Sequence, residues 1–119
     1  MRRLIVMVLL ALGGLQAAVA GKEYSCNMAA FSQKELEEYR VLATTMRSSV
    51  QETKELKNGY AFRLPAEELV ATSQWISYER HCCPFFTFEL EIPKDSGPVW
   101  LRITGESGIK EFIKTEFEL

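Results

Sequence analysis

The segment Glu79-Arg80-His81-Cys82-Cys83-Pro84-Phe85-Phe86 gathers the residue types able to do chemistry, including the only histidine and two of the three cysteines in the chain. Thiolates are soft ligands that select copper(I), zinc and similar ions. Neighbouring cysteines do not readily bond to each other: adjacent Cα atoms lie about 3.8 Å apart, whereas disulfides prefer about 4.4–6.8 Å. The pair therefore reads as two available thiols, or as one thiol and one partner for Cys26. Two adjacent thiolates with Cys26 as a third would suit a thiophilic ion of low coordination number, such as Hg, Cu or As(III). Zinc fits less well, because its sites usually space their ligands as C-x-x-C units, which are absent. Glu79 stands three and four positions before the cysteines, on their side of a continuing helix, and is the better companion. His81 points elsewhere by roughly 100° per residue, so Arg80 and His81 are supporting residues rather than first choices.

Two other classes of function stay open. A thiol-based enzyme, redox or metal-thiol, would use Glu79 to move protons near a thiolate. Against it, the cysteines fall at a helix C-terminus and in apolar surroundings, which disfavour the thiolate and predict no unusual acidity. A structural disulfide domain would join Cys26 to Cys82 or Cys83 and serve protein interaction, and small buried cysteines at a helix-to-strand join are a further plain reading. An odd cysteine count leaves at least one thiol over within the molecule.

The elements that must position these residues follow from periodicity. Tyr24 to Ala29 alternates weakly and reads as a first strand, with Tyr24, Cys26 and Met28 on one face. Ser32 and Glu35 form a capping box, with Phe31 stapling onto Leu36. The helix they open runs to about Ser48, with Leu36, Tyr39, Ala43, Met46 and Val50 as a buried stripe and Glu35, Glu37 and Glu38 as a solvated face. Two alternating runs between Val50 and Leu64 meet at Lys57-Asn58-Gly59, where Asn-Gly suits a tight hairpin turn needing positive φ. Pro65 opens a second helix, from about Ala66 to His81 or Cys82, which ends because Pro84 disfavours helical angles at Cys83. Trp75 and Ile76 on it read as packing.

Phe86, Phe88, Leu90 and Ile92 then alternate as a half-buried strand, and Val99, Leu101 and Ile103 return beside it after the Lys94–Pro98 turn. Ser107 reads as the cap of a last helix carrying Ile109, Phe112, Ile113 and Phe117 on one stripe. The order is β-α-β-β-α-β-β-α. This predicts an α+β domain: a single layer of about five mostly antiparallel strands packed by three helices, with strand order open.

Residues 1–20 carry the three parts of a bacterial signal peptide in order: Arg2 and Arg3, an apolar run from Leu4 to Leu12, and Ala18-Val19-Ala20. Gly13, Gly14 and Gln16 interrupt the run short of the roughly 20 apolar residues that a spanning helix needs. Cleavage after Ala20 leaves residues 21–119 as one domain of about 99 residues, periplasmic or secreted, with no stable membrane span. Losing two of the 14 basic residues and none of the 16 acidic ones puts the mature net charge near −4, which argues against nucleic acid as a partner. The partner is then a metal ion or another protein.

The run Glu79-Arg80-His81-Cys82-Cys83-Pro84-Phe85 resembles the Glu-Arg-x-Cys-Cys-Pro-Phe motif of a family of small, largely uncharacterised bacterial proteins. The likeness extends over most of the mature chain. It takes in Cys26-Asn27, Asn58-Gly59-Tyr60 leading to Arg63-Leu64-Pro65, Gly97-Pro98-Val99-Trp100-Leu101 and Thr104-Gly105. The resemblance implies a loose link with heavy-metal resistance, in agreement with the three-thiol reading. An export segment departs from the family pattern and leaves the redox state of the thiols open. The reading that results is an exported domain that binds or sequesters a thiophilic metal ion through Cys26, Cys82 and Cys83.

Overall fold

A computed structural model describes residues 24–119; the expected signal peptide and its cleavage site lie outside the described residues. The chain forms helix α1 (Gln33–Ser49), strands β1 (Glu52–Leu56) and β2 (Gly59–Leu64), helix α2 (Leu69–Cys82), strands β3 (Thr87–Glu91) and β4 (Val99–Thr104), and helix α3 (Ile109–Glu116). The α+β class holds, but the sheet has four strands among the described residues, all antiparallel, in the order β1-β2-β4-β3.

The expected first strand is the missing fifth. Tyr24 to Asn27 has no regular structure, and Met28–Ala30 tightens into a 3-10 turn through Ala30 N–H to Asn27 O at 3.2 Å. Three alternating positions were too few to impose a ladder. The segment faces the Cys82–Pro84 turn rather than a strand edge, and takes from it one backbone bond, Asn27 N–H to Cys82 O at 2.8 Å. Tyr24 anchors it instead: its hydroxyl donates to Ser107 O at 3.0 Å and its ring packs on Phe85 at 4.8 Å.

Helix α1 starts as expected. Ser32 Oγ accepts from Glu35 N–H at 3.2 Å and Glu35 Oε1 accepts from Ser32 N–H at 3.1 Å, closing the capping box. Phe31 packs its ring on Tyr39 and Tyr78. Tyr39, Ala43 and Met46 form the buried stripe, with Leu36 and Val50 partly buried at its ends.

The hairpin turn differs from its expected form, since neither Asn58 nor Gly59 has a positive φ. Gly59 is needed for a different reason. Paired with Thr104 in the sheet, it leaves so little room that a Cβ there would lie 1.9 Å from Ile103 O. The helices pack on the face carrying Tyr60, Phe62 and Leu64 of β2 opposite Ile103, Leu101 and Val99 of β4. Trp75 meets Phe88 and Phe117 edge-on within this core. The opposite face is polar: Lys54 lies over the Trp100 ring at 4.6 Å, and Arg102 pairs with Glu91 at 3.0 Å. Ile92, expected to continue the inward face of β3, lies past its end and is exposed.

At α3 the expected Ser107 cap is absent. The N-cap is Gly108 at φ 92°, with no side-chain cap bond, because the chain turns through the left-handed region that glycine alone enters freely. Ser107 supplies its carbonyl to Tyr24 instead. No helix among the described residues is long and apolar enough to cross a membrane.

Candidate metal centre

Helix α2 sorts its residues by helical phase. Thr72, Trp75, Glu79 and Cys82 step by three and four along the buried side, while Arg80 and His81 stay exposed. Glu79 is 3% exposed, and Cys82 and Cys83 are 0% exposed. The helix ends at Cys83, whose N–H still donates to Glu79 O at 2.7 Å; Pro84 then turns the chain towards β3. The turn aims the Cys83 sulfur at the incoming N-terminal segment, while Cys82 keeps its place on the helix.

Cys26 is joined to Cys83 by a disulfide, with Cα atoms 4.9 Å apart. Cys82 remains a free thiol, its Sγ 3.5 Å from Cys83 Sγ. Of the two pairings left open by sequence, the one using Cys83 is formed. One ligand atom each from Cys26, Glu79, Cys82 and Cys83 lies within 4.8 Å of all the others. Two sulfurs sharing one ion at about 2.3 Å each can be at most about 4.6 Å apart, so a spread of up to 4.8 Å needs only a small inward movement of the side chains to become a single-ion site.

A buried carboxylate needs compensation, and helix α1 provides it: the Tyr39 hydroxyl donates to Glu79 Oε2 at 2.8 Å. The Cys82 thiol lies 3.9 Å from the same oxygen and 3.7 Å from Glu79 O, weak contacts of the S–H kind. Burial pushes the Glu79 carboxyl up to about 7, opposed by the Tyr39 hydrogen bond and the Arg47 charge. Burial, followed by the neighbouring Glu79 charge, pushes the Cys82 thiol up to about 12. The same two causes raise Tyr39. The absence of an acidic thiol expected at a helix C-terminus holds for Cys82, which is a poor nucleophile at neutral pH.

Three sulfurs and one carboxylate oxygen form a donor set in which soft ligands dominate. In the reduced chain all three sulfurs are able to ligate. A cation would displace their protons and bring the positive charge that buried Glu79 lacks. With the Cys26–Cys83 bond closed, only Cys82 and Glu79 keep that ability.

Of the residues singled out by sequence, Cys26, Cys82, Cys83 and Glu79 come together, whereas Arg80 and His81 do not join them. Helical spacing alone places Tyr39 in a packing stripe. Its signal was its position: it is the one hydroxyl among apolar residues on the buried face of α1, where a buried O–H needs an acceptor. No protein-family model, curated protein or solved structure matches the chain.

Proposed function

We propose that this protein is an exported domain that binds a thiophilic metal ion, Hg(II), Cu(I) or As(III), through the thiolates of Cys26, Cys82 and Cys83. Glu79 stands as a fourth, oxygen donor held by Tyr39. The carrying observation is the convergence of these four ligand atoms within 4.8 Å, three of them on buried residues. Sequestration or hand-over of the ion fits better than catalysis, because the free thiol is buried and its pKa is raised to about 12. Export is supported by the signal-like residues 1–20 and by a disulfide, which persists in an oxidising compartment. The motif resemblance of Glu79 to Phe85 points the same way, towards heavy-metal resistance.

A second reading has its own observation. The Cys26–Cys83 bond ties the N-terminal segment to the end of α2, as a purely structural disulfide would. Such a scaffold has no use for a third cysteine in contact with the pair, nor for a carboxylate buried beside it at a desolvation cost. Titrating the reduced chain with Hg(II), followed by thiolate-to-metal absorption, separates the two. The metal reading expects one ion per chain, with Cys82→Ser weakening binding and His81→Ala leaving it nearly unchanged. Unchanged affinity in Cys82→Ser would leave only the scaffold.

A further inference from the structure

The two ends of the disulfide differ in their access to solvent. Cys83 is 0% exposed, as is Cys82, whereas Cys26 is only partly buried and sits between exposed Ser25 and Asn27. Disulfides open by attack of a thiolate on one of the two sulfurs, and access helps decide which. A thiol from solvent aimed at Cys83 must pass through buried side chains. The thiol already there is Cys82, 3.5 Å away. Its attack on Cys83 would bond adjacent residues, whose Cα separation of about 3.8 Å falls short of the usual 4.4–6.8 Å. Attack at Cys26 meets neither obstacle.

Opening the bond does not scatter the ligands. The segment carrying Cys26 is held independently of the disulfide by Asn27 N–H to Cys82 O at 2.8 Å and by the Tyr24 hydroxyl to Ser107 O at 3.0 Å. These bonds flank Cys26 on both sides in sequence, so its sulfur stays beside those of Cys82 and Cys83 after reduction.

We propose that the Cys26–Cys83 disulfide is a redox gate on the metal site, opened by a dithiol reductant that attacks Cys26. The proposal rests on the metal-binding reading given above. A thiolate of the reductant attacks Cys26 Sγ, the bond to Cys83 breaks, and its electron pair leaves on Cys83 as a thiolate. The reductant's second thiolate then attacks the reductant's own sulfur in the mixed disulfide, and Cys26 departs as a thiolate. The dithiol is oxidised to a disulfide, the protein disulfide is reduced by the same two electrons, and the new thiolates take up protons or the metal cation. The closed form keeps one sulfur ligand; the open form has three.

The test uses the full chain in oxidised form with reduced glutathione as the probe. A brief reaction is quenched with acid, remaining thiols are blocked with N-ethylmaleimide, and the position of glutathione is read by peptide mass mapping. The expected product carries glutathione on Cys26 and the maleimide on Cys83; glutathione on Cys83 overturns the proposed point of entry. In parallel, Hg(II) is titrated into the oxidised chain and into the chain reduced and freed of reductant. Losing even a residue that supports a metal ligand costs 10–100-fold, so losing two ligands should weaken the oxidised form by at least about a hundredfold. Equal, tight binding by both forms overturns the gate and leaves the metal reading standing. Absence of binding by the reduced form overturns the metal reading, and the gate with it.

Discussion

Glu79→Gln tests the electrostatics of the site through stability alone. The Glu79 carboxyl is raised from 4.5 to about 7, chiefly by burial. Below pH 4.5 folded and unfolded chains both carry the proton, and burial has no ionic cost. Between pH 4.5 and 7 the unfolded chain has released its proton while the folded chain retains it. Stability therefore falls with rising pH, by about 1.4 kcal/mol per pH unit. Over a shift of about 2.5 units the loss is about 3 kcal/mol, complete once pH passes the folded value. Glutamine keeps an acceptor for the Tyr39 hydroxyl but cannot ionise. Urea unfolding of the oxidised chain at pH 5 and pH 8 measures the effect, and other titrating groups cancel when wild type and variant are compared. Wild type should lose roughly 2–3 kcal/mol more than Glu79→Gln between the two pH values. The same loss in both proteins would refute the assignment of a buried, raised carboxyl.

Tyr39→Phe removes the donor at 2.8 Å from Glu79 Oε2. Its cost should be about 1.5–3 kcal/mol at pH 8, where the carboxylate is ionised, and smaller at pH 5; equal costs at both would contradict the hydrogen-bond role. Breaking the Cys26–Cys83 bond, which spans 57 residues, should lower stability by about 4 kcal/mol through the freedom returned to the unfolded chain. Urea midpoints of Cys26→Ser and of the reduced wild type should both show it, while a shift near zero would mean the crosslink closes nothing. Cys82, buried and raised to about 12, should resist iodoacetamide in the folded oxidised chain at pH 8 and label at once in urea. Rapid labelling of the native chain at neutral pH would instead favour the thiol-enzyme reading.

Where the sequence pattern was long and strongly periodic, it named the elements: both helices flanking the hairpin, the hairpin itself and the β3-β4 pair stand within a few residues of their expected places. The capping box at Ser32 and Glu35 was legible because its chemistry is local. Tyr24 to Ala29 departs from its expected strand because weak alternation over three positions looks like a strand whether or not a partner edge exists. What holds that segment is non-local: a disulfide, one backbone bond and a tyrosine reaching Ser107. Asn58-Gly59 has the composition of a tight turn, but the glycine answers the close approach of Ile103, a neighbour 44 positions away and invisible to local spacing. In the site, helical phase alone separated Glu79 and Cys82 from His81. The partner choice of Cys26 and the role of Tyr39 depend on how α1, α2 and the N-terminal segment meet, and no spacing rule encodes that.

The proposed site brings three sulfurs from this one chain to one ion. X-ray absorption at the metal edge of a one-to-one complex between the reduced chain and Hg(II) or As(III) counts them directly. The expected result is a shell of three sulfurs, falling to two in Cys26→Ser and in Cys82→Ser with the circular dichroism of the fold retained. A shell of two sulfurs in the wild type that persists unchanged in Cys26→Ser, or one built from nitrogen and oxygen, would contradict it.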